Sequence, residues 1–316
     1  LLGAKAAIVG VCGTALSAGE AAAFRRHRPL GAILFRRNVE SPAQVAALTA
    51  AIREELGAEA PILVDQEGGR VARLRPPHWT AFPPPSVFEN GPDSAAEANA
   101  AALGLECAAA GLDVVCAPLL DLRLPGAHDV IGDRAFSADP EEVARLGAAW
   151  VRGLQSAGCV PVIKHIPGHG RACADSHECL PRVDATAAEL EADIAPFRAL
   201  AGSGAWAMTA HILYEAWDAD RPATLSPAVI GRVIRGEIGF DGVLVSDDLA
   251  MGAVCAMPGN LAAAAIGAGC DLVLHCTGVL AETEAVLATC PVLSDAAARR
   301  LAAARAAARQ PWPAVA

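Results

Sequence analysis

"VPVIKHIPG", residues 160–168, is a short apolar run of β-branched residues that ends in a lysine, a histidine and a Pro-Gly break. It is too short for a buried helix and has the composition of a strand covered on both faces. The same pattern recurs along the chain. Seven further runs read alike: "AAIVGVCG" (6–13), "GAILF" (31–35), "PILVDQE" (61–67), "DVVCAPLLD" (113–121), "AWAMTAH" (205–211), "GVLVSDDL" (242–249) and "DLVLHCT" (271–277). Segments with helical spacing lie between them, among them "SPAQVAALTAAIREEL" (41–56), "DPEEVARLGAAWVRGLQSAG" (139–158) and "SPAVIGRVIRGEIG" (226–239). Two of these open with Ser-Pro, a cap followed by proline in the first turn, and Gly57, Gly111, Gly158 and Gly269 stand where a helix needs a left-handed end. Eight buried strands alternating with helices predict an α/β fold, a single-domain (β/α)8 TIM barrel over residues 1–316 with a frayed tail from about 309 to 316. A doubly wound open sheet is the alternative, because strand order cannot be read from one sequence.

Composition narrows the function classes. The 316 residues are 53% apolar, much of this alanine, and no stretch reaches the roughly 20 uninterrupted apolar residues of a membrane span. A net charge of -10 argues against nucleic acid as a partner, and the basic "FRRHRP" (24–29) reads as a solvated helix end. The start, "LLGAKAAIVGVCGT" (1–14), reads as a first strand and not a leader, which predicts a cytoplasmic protein. Most of the ten cysteines sit in apolar runs, Cys12, Cys116, Cys270 and Cys276 among them, and are read as small core hydrophobes in a reducing compartment.

In a barrel the chemistry collects at the C-terminal ends of the strands. Asp65, Asp121, Lys164, His165, His211, Asp247 and Asp248 all fall there. The stretch "KHIPGHGRACADSHEC" (164–179) spaces His165, His169, Cys173 and His177 four apart, but Pro167, Gly168 and Gly170 break the helix that would give this spacing a metal-binding face. Neither GxxxxGK[ST] nor GxGxxG is present, so no nucleotide cradle is expected, and no metal or organic cofactor is required. In "DSH", Asp175 and His177 would point to one side of an extended loop, a carboxylate orienting an imidazole. Together with Asp247, they are the parts that displacement at a sugar carbon needs.

Five collinear motifs, "LVDQEGGRVARL" (63–74), "IGDRAFS" (131–137), "IKHIPGHGRACADSH" (163–177), "AHILYEAWDADRPATLS" (210–226) and "GVLVSDDLAM" (242–251), resemble the bacterial β-N-acetylglucosaminidases of glycoside hydrolase family 3, enzymes of cell-wall recycling. The resemblance implies a retaining hydrolase that forms a covalent glycosyl-enzyme. By motif position it makes Asp247 the nucleophile and His177 the acid/base, held by Asp175 on a mobile loop. It further implies that Asp65, Arg73, Arg134, Lys164 and His165 bind the hydroxyls of a terminal N-acetylglucosamine, while the role of His211 stays open. The implied substrate is a muropeptide, N-acetylglucosamine joined to anhydro-muramic acid and its peptide. Asp248 is expected to point away from Asp247 if the strand stays regular. Ile166 and Gly252 depart from the family's usual phenylalanine and glutamate, at positions that donate no chemistry. A histidine acid repels an anionic acceptor less than a carboxylate would, which leaves phosphorolysis, or a broader β-glycosidase, as an alternative. A non-catalytic sugar-binding barrel is the alternative of another class, although aromatic platforms are scarce and only Trp79 and Trp217 are candidates for mouth loops.

Overall fold

The computed structural model describes residues 3–126, 129–172, 174, 176 and 179–309. Eight parallel strands close into a barrel in the order 1-8-7-6-5-4-3-2, as the sequence pattern predicts. They are Lys5–Gly10, Pro29–Leu34, Ile62–Val64, Val114–Val115, Val160–Ile166, Trp206–Thr209, Leu244–Asp248 and Leu272–His275. Nearly every strand residue is buried, because the barrel interior covers one face and a ring of helices the other. The ring closes where the first strand meets the eighth, with Val9 opposite His275.

The helices begin where their caps place them. Ser41 accepts a hydrogen bond from the N–H of Gln44 and Pro42 opens α2 (Pro42–Leu56); Asp139 accepts from the N–H of Glu141 ahead of α4 (Pro140–Ser156). Gly57 and Gly158, with φ of 104° and 80°, end these helices in a conformation costly to any residue with a Cβ. In α4 the buried face includes Leu146, Trp150 and Leu154, and it packs on α3 (Asp93–Ala109). The "SPAVIGRVIRGEIG" segment is helical over Val229–Glu237 but wound as a π-helix, with the N–H of Ile238 reaching back to the carbonyl of Val233. Ser226 caps it by accepting from the N–H of Val229.

Three details differ from the sequence reading. The fourth strand is regular only over Val114–Val115; beyond it the Cys116 N–H still donates to the Val64 carbonyl and the carbonyls of Ala117 and Pro118 accept from Val162 and Lys164, but Pro118 has no N–H to give and Leu119 makes only an isolated bridge to Lys164. Cys12 is exposed, not a core residue, because the first strand ends at Gly10 and the chain has turned into the mouth loop, where the Cys12 N–H donates to Glu20. Trp217 is buried against Tyr214 at a ring distance of 5.1 Å, and neither it nor Trp79 lines the cavity at the strand ends. Cys116, Cys270 and Cys276 are buried as expected, and Arg25 and Arg26 at the end of α1 (Ala18–His27) are solvated and reach Glu55 and Glu284. No described helix is long and apolar enough to cross a membrane.

Two short accessory pairs shape the mouth. A hairpin of Gln66–Gly68 with Val71–Ala72 follows the third strand. Its Gly68 has φ of 96°, and a Cβ there would lie 2.2 Å from the carbonyl oxygen of Pro83. Arg182–Val183 pairs with Leu213–Tyr214, joining the loops that follow the fifth and sixth strands, and the Tyr214 hydroxyl donates to the carbonyl of Gly168 at 2.6 Å.

Candidate active site

Lys164, on the fifth strand, is buried and would be intolerable there without anions. Its Nζ lies 3.0 Å from Asp65 Oδ1 and 2.6 Å from Glu67 Oε1. Asp65 also accepts from Arg73 at 2.9 Å, and Glu67 takes the Arg134 guanidinium in a two-pronged pair, both distances 2.9 Å. The result is one chain of alternating charge, Arg73–Asp65–Lys164–Glu67–Arg134, drawn from the loops after the third and fourth strands and from the fifth strand. Burial works against both carboxylates, yet the neighbouring cations win: Asp65 is held well below the usual carboxylate range by Lys164 and Arg73, and Glu67 is lowered to about 2 by Arg134 and Lys164. Lys164 is in turn raised above its ordinary value, because Asp65 and Glu67 outweigh its burial.

A second cluster orients the histidines. Asp121, fully buried, accepts from the backbone N–H groups of His165 and His169, and from His165 Nδ1 at 2.7 Å. Burial opposes ionisation of Asp121, but His165 and the other donors keep its carboxyl below its ordinary value, so it acts only as an acceptor. His165 Nδ1 therefore carries the proton. His169 packs edge-on against His165, and burial lowers it to about 4, leaving it neutral at ordinary pH.

Asp247 is the last but one residue of the seventh strand. Its Oδ1 accepts the N–H of Asp248 at 2.8 Å. Burial disfavours its charge, and His211, His165, the Asp248 N–H and Lys164 together hold it below the ordinary value, so it is ionised at neutral pH. His211 is itself kept neutral by burial. Its Nε2–H donates to the Asp248 carbonyl at 3.0 Å, while Nδ1 accepts from the Thr224 hydroxyl at 2.7 Å. It thus fixes the backbone that carries Asp247 and does not line the cavity.

The relay, the two histidines His165 and His169, and Asp247 share a cavity of about 490 Å³, with Ile33, Met208 and Leu274 in its apolar wall. Asp65, Arg73, Arg134, Lys164, His165 and Asp247 all line it. So does Ser176, the residue between Asp175 and His177, which themselves lie outside the described residues, as does Cys173. Ser176 is anchored by its carbonyl, which accepts the N–H of Ala253 at 3.0 Å. Asp248 lines the cavity as well, contrary to the regular-strand expectation: pairing with the eighth strand slips between Val245 and Asp248, and the strict alternation of faces is lost there. Its Oδ1 is occupied by the N–H groups of Ala250 and Cys276. A like slip between Lys164 and Ile166 lets both Lys164 and His165 face the cavity. Glu67 was not singled out by the sequence reading; the signal available was its position two residues after Asp65, on the same side of an extended chain.

An acidic residue ending a barrel strand, beside a cation relay that can hold hydroxyls, is an arrangement suited to carbohydrate. Residues 10–304 match the family model described as the glycosyl hydrolase family 3 N terminal domain. The chain belongs to glycoside hydrolase family 3. Among curated relatives of this family, a β-hexosaminidase of Alkalilimnicola ehrlichii is 44% identical over 303 residues, covering 91% of this chain and 84% of that one. A β-hexosaminidase of Pseudomonas aeruginosa is 41% identical, with 84% and 80% covered. Among family 3 structures, NagZ from Neisseria gonorrhoeae, solved with N-trifluoroacetyl-D-glucosamine, superposes with a TM-score of 0.86 at 34% identity over 95% of this chain and 90% of that one. A Paenibacillus β-N-acetylglucosaminidase of the family gives 0.86 at 35% identity over 98% of this chain; this chain spans 63% of that longer protein. A family 3 barrel is a glycoside hydrolase, and the non-catalytic sugar-binding reading falls away.

Glu67 provides a test of the relay in solution. Its folded value, about 2 against an ordinary 4.5, means that its stabilising contribution is complete above pH 4.5 and is lost as pH falls towards 2. Glu67→Gln is expected to destabilise the protein by about 3 kcal/mol at neutral pH, since it leaves buried cations short of a partner. Denaturant titrations of both proteins from pH 7 to 3 should show a difference that shrinks on acidification.

Proposed function

We propose that this hydrolase is a retaining exo-β-N-acetylglucosaminidase that removes terminal N-acetylglucosamine from peptidoglycan-derived muropeptides. The observation that carries the reading is that Asp247, ionised although half-buried, lines one cavity with the Asp65–Lys164–Glu67–Arg134 relay and with Ser176, the neighbour in sequence of both Asp175 and His177. The β-hexosaminidase relatives support the sugar.

In this mechanism the relay and His165 hold the hydroxyls of the terminal sugar by charge-assisted bonds. Lys164 has spent two of its three donors on carboxylates, and Arg73 and Asp65 keep each other in place. The sugar thus meets groups each of which already has a partner of opposite charge and whose orientation is fixed. Asp247 Oδ1 is engaged by the Asp248 N–H, so Oδ2 attacks the anomeric carbon. As the new C–O bond forms, the glycosidic C–O bond breaks and His177 gives its proton to the leaving oxygen. Neutral His177 then takes a proton from water, the water oxygen bonds to the anomeric carbon, and the aspartyl ester is released. Two inversions return the original configuration.

Three outcomes are expected. Proton NMR of the first-formed sugar should show the β-anomer ahead of mutarotation; an α-anomer would exclude the covalent route. Asp247→Ala should lower kcat on an aryl N-acetylglucosaminide by more than about a thousandfold, with the fold intact by circular dichroism. His177→Ala should cost roughly 10²–10⁴-fold on a disaccharide with a poor leaving group and far less on an activated phenol, which leaves without a proton. Equal losses on the two substrates would leave His177 a structural residue.

A further inference from the structure

His169 lines the cavity beside His165 and takes no part in the steps above. Its mounting is rigid. The backbone N–H donates to Asp121 at 2.6 Å, the carbonyl accepts the N–H of Ala172 at 3.1 Å, and the preceding Gly168 is held through its own carbonyl by the Tyr214 hydroxyl. On the other side a Cβ at Gly170 would stand 2.3 Å from the Leu122 carbonyl oxygen, so the chain is packed as closely there. The imidazole lies edge-on to His165, with ring centroids 5.5 Å apart, and its Nε2 is 3.4 Å from Ser176 Oγ. Its Nδ1 is buried and has no hydrogen-bond partner among the described residues. A side chain that only filled this space would be cheaper without nitrogens, since an unpaired buried ring nitrogen costs free energy. The contact with Ser176 is what a polar ring adds.

Ser176 is held from a second side as well. Its carbonyl accepts the Ala253 N–H at 3.0 Å, and Ala253 follows the turn after Asp247 and Asp248, in which the Met251 N–H donates to the Asp248 carbonyl at 3.1 Å. The buried Ser176 is thus gripped at its hydroxyl by the rigid stretch that leaves the fifth strand and at its backbone by the loop that follows Asp247. One peptide bond joins it to Asp175 and another to His177. Hydrogen bonds that serve catalysis are commonly long before substrate binds and tighten with it, and proton transfer falls steeply when the donor is displaced. We propose that His169 is a positioning residue for the protonation step: its ring, with the Ala253 N–H, fixes Ser176 and so the place from which His177 gives its proton. The proposal rests on the reading of His177 as the acid/base and deepens it. His169 itself touches no bond that forms or breaks.

The test compares two substrates of the full chain, a disaccharide in which N-acetylglucosamine is β-linked to a second sugar and a dinitrophenyl N-acetylglucosaminide, whose phenolate leaves without a proton. The readout is the ratio of their kcat/KM values, disaccharide over phenyl glycoside, in which any damage to folding or to sugar binding at His165 cancels. His169→Phe, which keeps a ring without nitrogens, and Ser176→Ala are each expected to lower this ratio about tenfold, while Ser176→Thr, which keeps the hydroxyl, retains it. The double variant His169→Phe/Ser176→Ala should lose no more than either single one, because both remove the same contact. Losses that multiply in the double variant, or a ratio unchanged in both single variants but lowered in His177→Ala, would overturn this proposal and leave the acid/base reading standing. A ratio unchanged in His177→Ala would overturn that reading and this proposal with it.

Discussion

The site depends on a single buried ammonium. Lys164 stands between Asp65 and Glu67, and each carboxylate passes the charge outwards to an arginine. Removed from water singly, any of these groups would be expensive; joined in alternation each has a partner of opposite charge, and directed donors are left at the cavity wall. The relay also decides geometry. It pins the hairpin after the third strand and the loop after the fourth to the fifth strand, and so holds three separate segments around one opening.

The barrel contributes chemistry chiefly where it is irregular. A strict strand would send Lys164 and His165 to opposite faces, and Asp247 and Asp248 likewise. Register slips at both strand ends relax this rule, so each pair contributes two polar residues to the same mouth. The neutral His211 then fixes the Asp248 carbonyl, and the order of the seventh strand is carried to its last residue. Regular pairing below builds the core; broken pairing above builds the site.

How much of this was legible follows from the same division. The eight strands were visible because each is a continuous apolar run, and the helix starts because Ser41, Asp139 and Ser226 act as local caps. Asp65, Lys164, His165 and Asp247 could be placed at strand ends by counting. Glu67 escaped because its importance lies in two partners, Lys164 97 positions on and Arg134 67 positions on, that no local pattern reveals. Cys12 was misjudged because an apolar neighbourhood in sequence does not say where a strand stops. The slip that turns Asp248 into the cavity is a property of pairing with the eighth strand and not of the seventh strand's own residues.

The brace between Arg182–Val183 and Leu213–Tyr214, with the Tyr214 hydroxyl on Gly168, closes the base of the excursion that leaves the fifth strand. A chain whose two feet are tied in this way can be lengthened at small entropic expense, about 0.6 kcal/mol for each doubling. A change of length there leaves the eight-stranded scaffold untouched: adaptability at the rim is uncoupled from the integrity of the staves beneath it.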